Sequence, residues 1–277
     1  MPLPRTDYDQ YLRLDKFPHI WCPGCGDGIV LKAMLRAIDR IGLTRDEVCM
    51  VSGIGCSSRT PGYVDFNTLH TTHGRALTFA TGVKMVRPDL TVIVVTGDGD
   101  ATAIGGNHFI HAARRNIDIT VVLYNNWIYG MTGGQVSPST PAGKRASTAP
   151  YGSMEPNFDI VALAAGAGAS FVARETVAKP VLLDRVIERA IRKKGFSLVE
   201  VMTPCPTAYG RRNKAGDAVA MTNDLKERSV PAARLVKLSQ EDKEQAIGTG
   251  VFVDVEKPEY TEQYARLVES LQHAGRA

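Results

Sequence analysis

The sequence predicts an α/β fold: a doubly wound, mostly parallel sheet with a C-terminal arm. Three observations carry that prediction. Thr91-Val92-Ile93-Val94-Val95-Thr96 and Ile119-Thr120-Val121-Val122-Leu123-Tyr124 are apolar without alternation, as strands are when helices cover both faces of their sheet. Segments with apolar residues at helical spacing alternate with such strands. Each of the two strands runs into a glycine- or asparagine-bearing loop rather than a hairpin turn.

Taken in order, residues 1–20 read as an irregular lead-in. Cys22-Pro23-Gly24-Cys25-Gly26 is a turn-rich loop, after which Leu31, Met34, Leu35, Ile38 and Ile41 define one helix face. Val48-Cys49-Met50-Val51 is a short buried strand that enters Ser52-Gly53-Ile54-Gly55-Cys56. A helix over 74–86 is stopped before Pro88. The strand at 91–96 enters Gly97-Asp98-Gly99-Asp100, a helix occupies 104–115, and the strand at 119–124 ends at Asn125-Asn126. Residues 130–156 are rich in Gly, Pro, Ser and Thr and exceed a simple connection; loops of that length are functional or mobile. A helix around 157–165, a strand near 171–173, a helix over 180–194 stopped by Gly195, and a strand over 197–202 follow. The expected organisation is the lead-in (1–20), one ligand-binding domain (21–205), and a more polar segment (206–277) made of an arm and a helix over about 259–273, used for subunit contact.

The chain has 277 residues and a formal net charge of +4. Lys144-Arg145, Arg192-Lys193-Lys194 and Arg211-Arg212 are short runs that read as solvated faces rather than a nucleic-acid stripe, and they also suit an acidic protein partner. No stretch is long and apolar enough to span a bilayer, and Met1 to Lys16 holds no apolar signal core. A cytoplasmic protein that binds neither membrane nor nucleic acid is expected. Its five cysteines, an odd number in a reducing compartment, argue against a disulfide framework.

Gly97-Asp98-Gly99-Asp100 stands at the C-terminal end of a buried strand, the edge at which open parallel sheets bind ligands. Asp98 is a hard oxygen ligand suited to a Mg²⁺ that also touches phosphate, and the following helix offers its N-terminal amides to a diphosphate. The plainer alternative is a turn with capping aspartates. An EF-hand is excluded, because Ala103 and Phe109 stand where that loop needs Gly and Glu. Residues 100–124 lead to Asn125-Asn126 at the end of the next strand, where an Asn side chain and the Ile128 carbonyl can complete an oxygen shell. Gly-Asp-Gly followed at this distance by Asn-Asn resembles the motif of thiamine-diphosphate-dependent enzymes. The resemblance implies the thiamine diphosphate-binding fold, Mg²⁺ on Asp98, Asn126 and the Ile128 carbonyl, and Gly99 and Asp100 facing the diphosphate.

Cys22-x-x-Cys25 alone fits zinc, redox chemistry or chance. No second close pair completes a zinc ribbon, a redox pair leaves Cys56 and Cys205 unexplained, and the compact ferredoxin run is absent. Cys22, Cys25, Cys56 and Cys205 all sit in loops or turns where thiolates can converge, whereas Cys49 reads as a small buried hydrophobe within a strand.

Trp21-Cys22-Pro23-Gly24-Cys25-Gly26, Ser52-Gly53-Ile54-Gly55-Cys56-Ser57, His73-Gly74-Arg75-Ala76, Gly97-Asp98-Gly99-Asp100 and Thr203-Pro204-Cys205-Pro206 occur in this order, with Gly250-Val251-Phe252 beyond. Over about residues 18–210 this series resembles the beta subunit of 2-oxoacid:ferredoxin oxidoreductases. The resemblance implies a [4Fe–4S] cluster on Cys22, Cys25, Cys56 and Cys205. It places Ile54-Gly55-Cys56-Ser57, His73-Gly74-Arg75 and Gly130-Met131 around the thiamine, with His73 as a candidate hydrogen-bond partner of the cofactor. Arg59 follows the third cysteine and is a candidate partner for a substrate carboxylate; an exposed loop arginine is the alternative. The implied activity is oxidative decarboxylation of a 2-oxoacid to an acyl-coenzyme A, with electrons passing through the cluster to ferredoxin. The Cys-Pro-Gly-Cys-Gly opening and short C-terminal arm look closest to 2-oxoglutarate-type enzymes. Pyruvate or branched-chain 2-oxoacids stay open as substrates, as do a thiamine decarboxylase or carboligase without electron transfer and a metal-stapled scaffold without thiamine. Thiamine enzymes take the glutamate that activates the cofactor from a separate pyrimidine-binding domain, and one α/β domain is apparent here. An obligate partner, an alpha or fused alpha–gamma subunit, is therefore expected.

Overall fold

The computed structural model describes residues 6–274, so residues 1–5 of the expected lead-in and 275–277 of the C-terminal segment lie outside the described residues. Helix α1 (Asp27–Ile41) follows the Cys22–Cys25 turn; Val30, Leu31, Met34, Leu35 and Ile38 are its buried face, and Gly42 ends it in the left-handed conformation at φ 82°. Strand β1 (Val48–Ser52), the short α2 (Thr60–Tyr63), β2 (Asn67–His70), α3 (Ala76–Val86), β3 (Thr91–Gly97), α4 (Gly106–Arg115) and β4 (Thr120–Asn125) come next. A small ribbon of β5 (Ile128–Tyr129) and β6 (Gln135–Val136) opens the long loop, which leads to α5 (Ile160–Gly166), β7 (Phe171–Thr176), α6 (Pro180–Arg192) and β8 (Ser197–Met202). The C-terminal segment holds α7 (Arg211–Asn213), α8 (Ala218–Arg228), β9 (Ser229–Pro231), α9 (Ala232–Leu235), α10 (Gln240–Gln245), β10 (Ile247–Asp254) and α11 (Tyr260–Ala274).

Eight strands form one sheet in the order β2-β1-β3-β4-β8-β7-β10-β9. All neighbours are parallel except β10, which lies antiparallel to β7. The sheet is covered on both faces. One core joins Met34, Leu35 and Ile38 of α1 to Leu183 and Ile187 of α6; the other gathers α3, α4 and α5 around Phe109 and Phe196, whose rings meet edge to face at 5.7 Å. Each fully buried Leu or Ile contributes about 1.5–3 kcal/mol. Arg36 fixes α1 against α6 by donating twice to Asp184, both at 2.7 Å.

Several element boundaries differ from the sequence expectation for local reasons. Residues 100–104 make a wide π-type turn, so α4 starts at Gly106 rather than at 104. Helix α5 starts at Ile160 rather than 157 because Asp159 caps it, accepting from the amides of Val161 and Ala162. Strand β2 was not expected; it is a polar, partly exposed edge strand. The segment beyond 205 is more than an arm and a helix, since β10 extends the main sheet. Among the described residues no helix is long and apolar enough to cross a membrane.

Candidate active site

Strands β3 and β4 are parallel neighbours with Gly97 opposite Tyr124, so both end at the same edge and deliver Asp98 and Asn126 there. Around that edge lies a cavity of about 210 Å³. Ile54, Gly55, Cys56, Ser57, His73, Asp98, Gly99, Asp100, Asn126, Ile128, Gly130 and Met131 all line it, together with Tyr124, Tyr129 and Thr132, which the sequence reading did not single out.

Asp98 is buried, and Ser137 donates to its Oδ2 at 2.6 Å; Ser139 donates to the same oxygen. Burial pushes this carboxyl up to about 6, against the hydrogen bonds from the two serines, and among the described residues no basic side chain pairs with it. A buried carboxylate without a basic partner fits a cation site. Asn126 is buried beside it and spends one Oδ1 lone pair on the Ile128 amide at 3.3 Å, leaving a second. With the Ile128 carbonyl these are hard oxygen donors, the chemistry Mg²⁺ takes when phosphate supplies further ligands. Ser57 is also buried against the cavity, and its hydroxyl has no hydrogen-bond partner, as fits a group meant for a ligand.

Asp100 lines the cavity, and its carboxylate is held by donors from the chain itself. Oδ1 accepts from His73 Nδ1 at 2.6 Å, Gly74 N at 2.7 Å and Ile54 N at 3.2 Å, while Oδ2 accepts from Thr96 Oγ1 at 2.7 Å. It is a staple that holds the 54–57 and 73–74 loops to the end of β3. This bond fixes the proton of His73 on Nδ1 and leaves Nε2 as the free ring nitrogen. Gly74 gives its amide to the staple. Arg75 donates to the Ile104 carbonyl at 3.1 Å, away from the cavity wall. Arg59 stands in a separate groove with Arg13, Thr68 and His70, so a contact with a substrate in the thiamine cavity is not what its position offers. The turn after Cys56 leads from Ser57 at the cavity through Arg59 into α2.

Two of the four loop cysteines, Cys56 and Cys205, meet behind the same wall. A Cβ placed on Gly130 would lie 3.4 Å from both Cys56 Sγ and Cys205 Sγ, so Gly130 sits directly against both sulfurs. Gly26 packs on Thr203 and Pro204, seating the Cys22–Cys25 turn against the Cys205 loop. Cys56 lies within electrostatic reach of Cys22, Cys25 and Cys205, and Cys22 of Cys205. Burial pushes the Cys56 thiol up to about 12 and also raises Cys25 and Cys205; backbone amides of Met131, Asp27, Ala208 and Tyr209 work the other way by donating to these sulfurs. Amide-to-sulfur bonds of this kind stabilise bound thiolate. None of the cysteines is in a disulfide. Among the described residues no three His, Cys, Asp or Glu side chains are spaced to share a single metal ion. Thiolates that hold a cluster each bind a different iron and so stand further apart than the ligands of one zinc ion.

Sequence reasoning missed Asp27, a fully buried carboxyl beside Cys25 with no hydrogen-bond partner of good geometry on either oxygen. Burial drives it up to about 7, with the Cys25 thiol pulling down and the Asp98 charge adding to the rise. Ser137 and Ser139 were missed as well; a Ser-x-Ser inside a long loop carries no signal until the fold lays it on Asp98.

The strand edge, its oxygen donors and the cavity define a class, the thiamine-diphosphate-binding domain, and residues 53–201 match the family described as thiamine pyrophosphate enzyme, C-terminal TPP binding domain. Across its length the chain is 53% identical over 262 residues to the 2-oxoglutarate synthase subunit KorB of Methanocaldococcus jannaschii, covering 95% of this chain and 97% of that one. It is 44% identical over 189 residues to the 2-oxoacid:ferredoxin oxidoreductase subunit beta of Saccharolobus solfataricus, covering 68% and 60%. Its fold matches a 2-oxoglutarate:ferredoxin oxidoreductase from Magnetococcus marinus, solved with 2-oxoglutarate, coenzyme A and succinyl-CoA bound, with a TM-score of 0.86 and 32% identity over 98% of this chain and 92% of the other. The chain belongs to the beta subunits of the 2-oxoacid:ferredoxin oxidoreductases, a thiamine-diphosphate-dependent enzyme family, as its ordered motifs implied.

Proposed function

We propose that this chain, with an alpha or fused alpha–gamma subunit in the cytoplasm, oxidatively decarboxylates 2-oxoglutarate to succinyl-coenzyme A and passes the electrons through its own [4Fe–4S] cluster to ferredoxin. The observation that carries the reading is the shared wall: Cys56 lines the thiamine cavity while its sulfur, with that of Cys205, lies against Gly130 of the same wall. Thiamine diphosphate, when bound, supplies a nucleophilic carbon and an electron sink, and a cluster on the four cysteines would supply a one-electron acceptor beside it. Asp98, Asn126 and the Ile128 carbonyl would hold Mg²⁺ at the diphosphate. Ser57 Oγ and His73 Nε2 are among the polar groups that would bind the cofactor, and the Asp100 staple keeps His73 aimed. The choice of 2-oxoglutarate over pyruvate or branched-chain 2-oxoacids is supported by the names of the relatives and the ligands of the Magnetococcus marinus enzyme. The partner subunit would supply the glutamate that activates the cofactor, so the isolated chain is expected to be inactive.

The test is a screen of 2-oxoacids with coenzyme A and a viologen dye, on the complex co-expressed with its alpha subunit and purified without oxygen. Dye reduction with 2-oxoglutarate and a broad visible absorbance are expected. A colourless, active complex would remove the cluster from this chain, and turnover by the isolated chain would remove the need for a partner.

A further inference from the structure

Two of the three basic runs that look like solvated faces in the sequence, Lys144-Arg145 and Arg211-Arg212, meet in the fold. Asn213 joins them: its Oδ1 accepts from the Arg145 amide at 2.8 Å and its Nδ2 donates to the Arg145 carbonyl at 3.0 Å. Lys144-Arg145 of the long loop is thereby tied to α7, which carries Arg211 and Arg212 and is followed by Lys214. Arg212 spends its guanidinium on the carbonyls of Ala208 and Gly133. Lys144, Arg145, Arg211 and Lys214 are exposed, and among the described residues none of these four makes an ion pair. Four like charges gathered without counter-ions repel one another, and folding gains nothing from the arrangement.

The patch adjoins the cysteine site from outside. Residues 206–210 connect Cys205 directly to α7, and the Gly24 backbone packs on Pro206 and Ala218. Cys22 is the exposed thiol of the four. Ile20, two positions before it, is 63% exposed, and Val219, next to the Ala218 contact, is 68% exposed. An apolar rim beside a mostly basic field, in which Asp217 is spent capping α8, is the make-up of a transient protein-docking surface.

We propose that this face, with Lys144, Arg145, Arg211 and Lys214 beside Ile20 and Val219, docks an acidic one-electron carrier protein that takes electrons from the cysteine site at Cys22. The proposal rests on the reading that Cys22, Cys25, Cys56 and Cys205 hold a cluster. The step changes no covalent bond: one electron leaves the reduced cluster, the carrier's own centre gains it, and oxidation of the 2-oxoacid resupplies the cluster. Charge steering serves such a partner, because the encounter is brief and repeated and must end in release.

The experiment uses the co-expressed complex and a purified acidic ferredoxin. Two charge reversals are made, Lys144→Glu with Arg145→Glu and Arg211→Glu with Lys214→Glu. Each is expected to raise the KM for ferredoxin about tenfold or more at low salt and to flatten its salt dependence. Viologen reduction, the KM for coenzyme A and the visible spectrum should match the unaltered complex. The proposal is overturned if viologen reduction is normal and the ferredoxin KM and its salt dependence do not move, or if the KM for coenzyme A rises instead, which would make the patch a site for a small anion. Should a reversal fail to fold, the corresponding Gln variants decide, with a smaller rise in ferredoxin KM expected and none overturning the idea. A colourless unaltered complex marks failure of the cluster reading itself.

Discussion

The oxygen-donor site at the ends of β3 and β4 and the thiol site behind it share Cys56, Gly130 and Met131, yet the chain builds them in different ways. The first comes from two adjacent strands whose register alone puts Asp98 and Asn126 at one edge. The second is gathered from the turn before α1, the loop after β1 and the loop after β8, and it closes only because small residues let those loops touch. The oxygen site inherits the rigidity of the sheet; the thiol site depends on every loop arriving together.

That difference can be tested by taking each site away in turn. Asp98→Ala should abolish measurable Mg²⁺-dependent thiamine diphosphate binding by calorimetry, a larger effect than the roughly 10–100-fold that loss of an outer-shell partner costs. The visible absorbance should persist; its disappearance would mean the two sites do not form separately. Cys205→Ser should remove the visible absorbance and electron transfer while thiamine diphosphate still binds near the unaltered affinity. Gly130→Ala attacks the common wall. A methyl group there would stand in van der Waals contact with both sulfurs at 3.4 Å, so any change in spectrum and in cofactor affinity should be small and should appear together. If only one moves, the two sites do not share that wall.

A change at the far edge of the sheet should touch neither site. Lys84 is buried and pairs with Asp118 at 2.8 Å. Burial raises the Asp118 carboxyl, but Lys84 and the Gly195 amide outweigh it and hold the group below the usual carboxylate range. A lowered carboxylate adds stability above its unfolded value and loses it as pH falls through the folded value, so this contribution disappears in acid. Lys84→Met should cost about 3 kcal/mol in thermal or urea unfolding at neutral pH and blunt the acid-side loss. Cofactor affinity and spectrum of the folded protein should not change.

Strands β3 and β4 were legible because a doubly covered strand must be apolar on both faces, and the meeting of Asp98 and Asn126 at one edge because adjacent parallel strands leave a spacing in the chain. The thiols leave no spacing rule, as segments 22–25, 56 and 205 are brought near one another by tertiary packing; only the order of several motifs pointed to them. The turn of Asp100 into the loops was illegible for a simpler reason: a carboxylate next to a phosphate motif reads as part of it until its four donors are seen. Strand β2 escaped because it is polar and at an edge, and β10 because Gly248 and Gly250 interrupt its apolar run.

Strand β10 has a consequence for how the molecule is made. Strands β1 through β8 are complete before residues 247–254 leave the ribosome, and until then the outer row of β7 amides and carbonyls has nothing to pair with. The last stretch of the chain is the clasp of a seam rather than a tail. A nascent or clipped subunit ending before residue 247 would present that open seam to its neighbours and clump, even with every ligand residue intact.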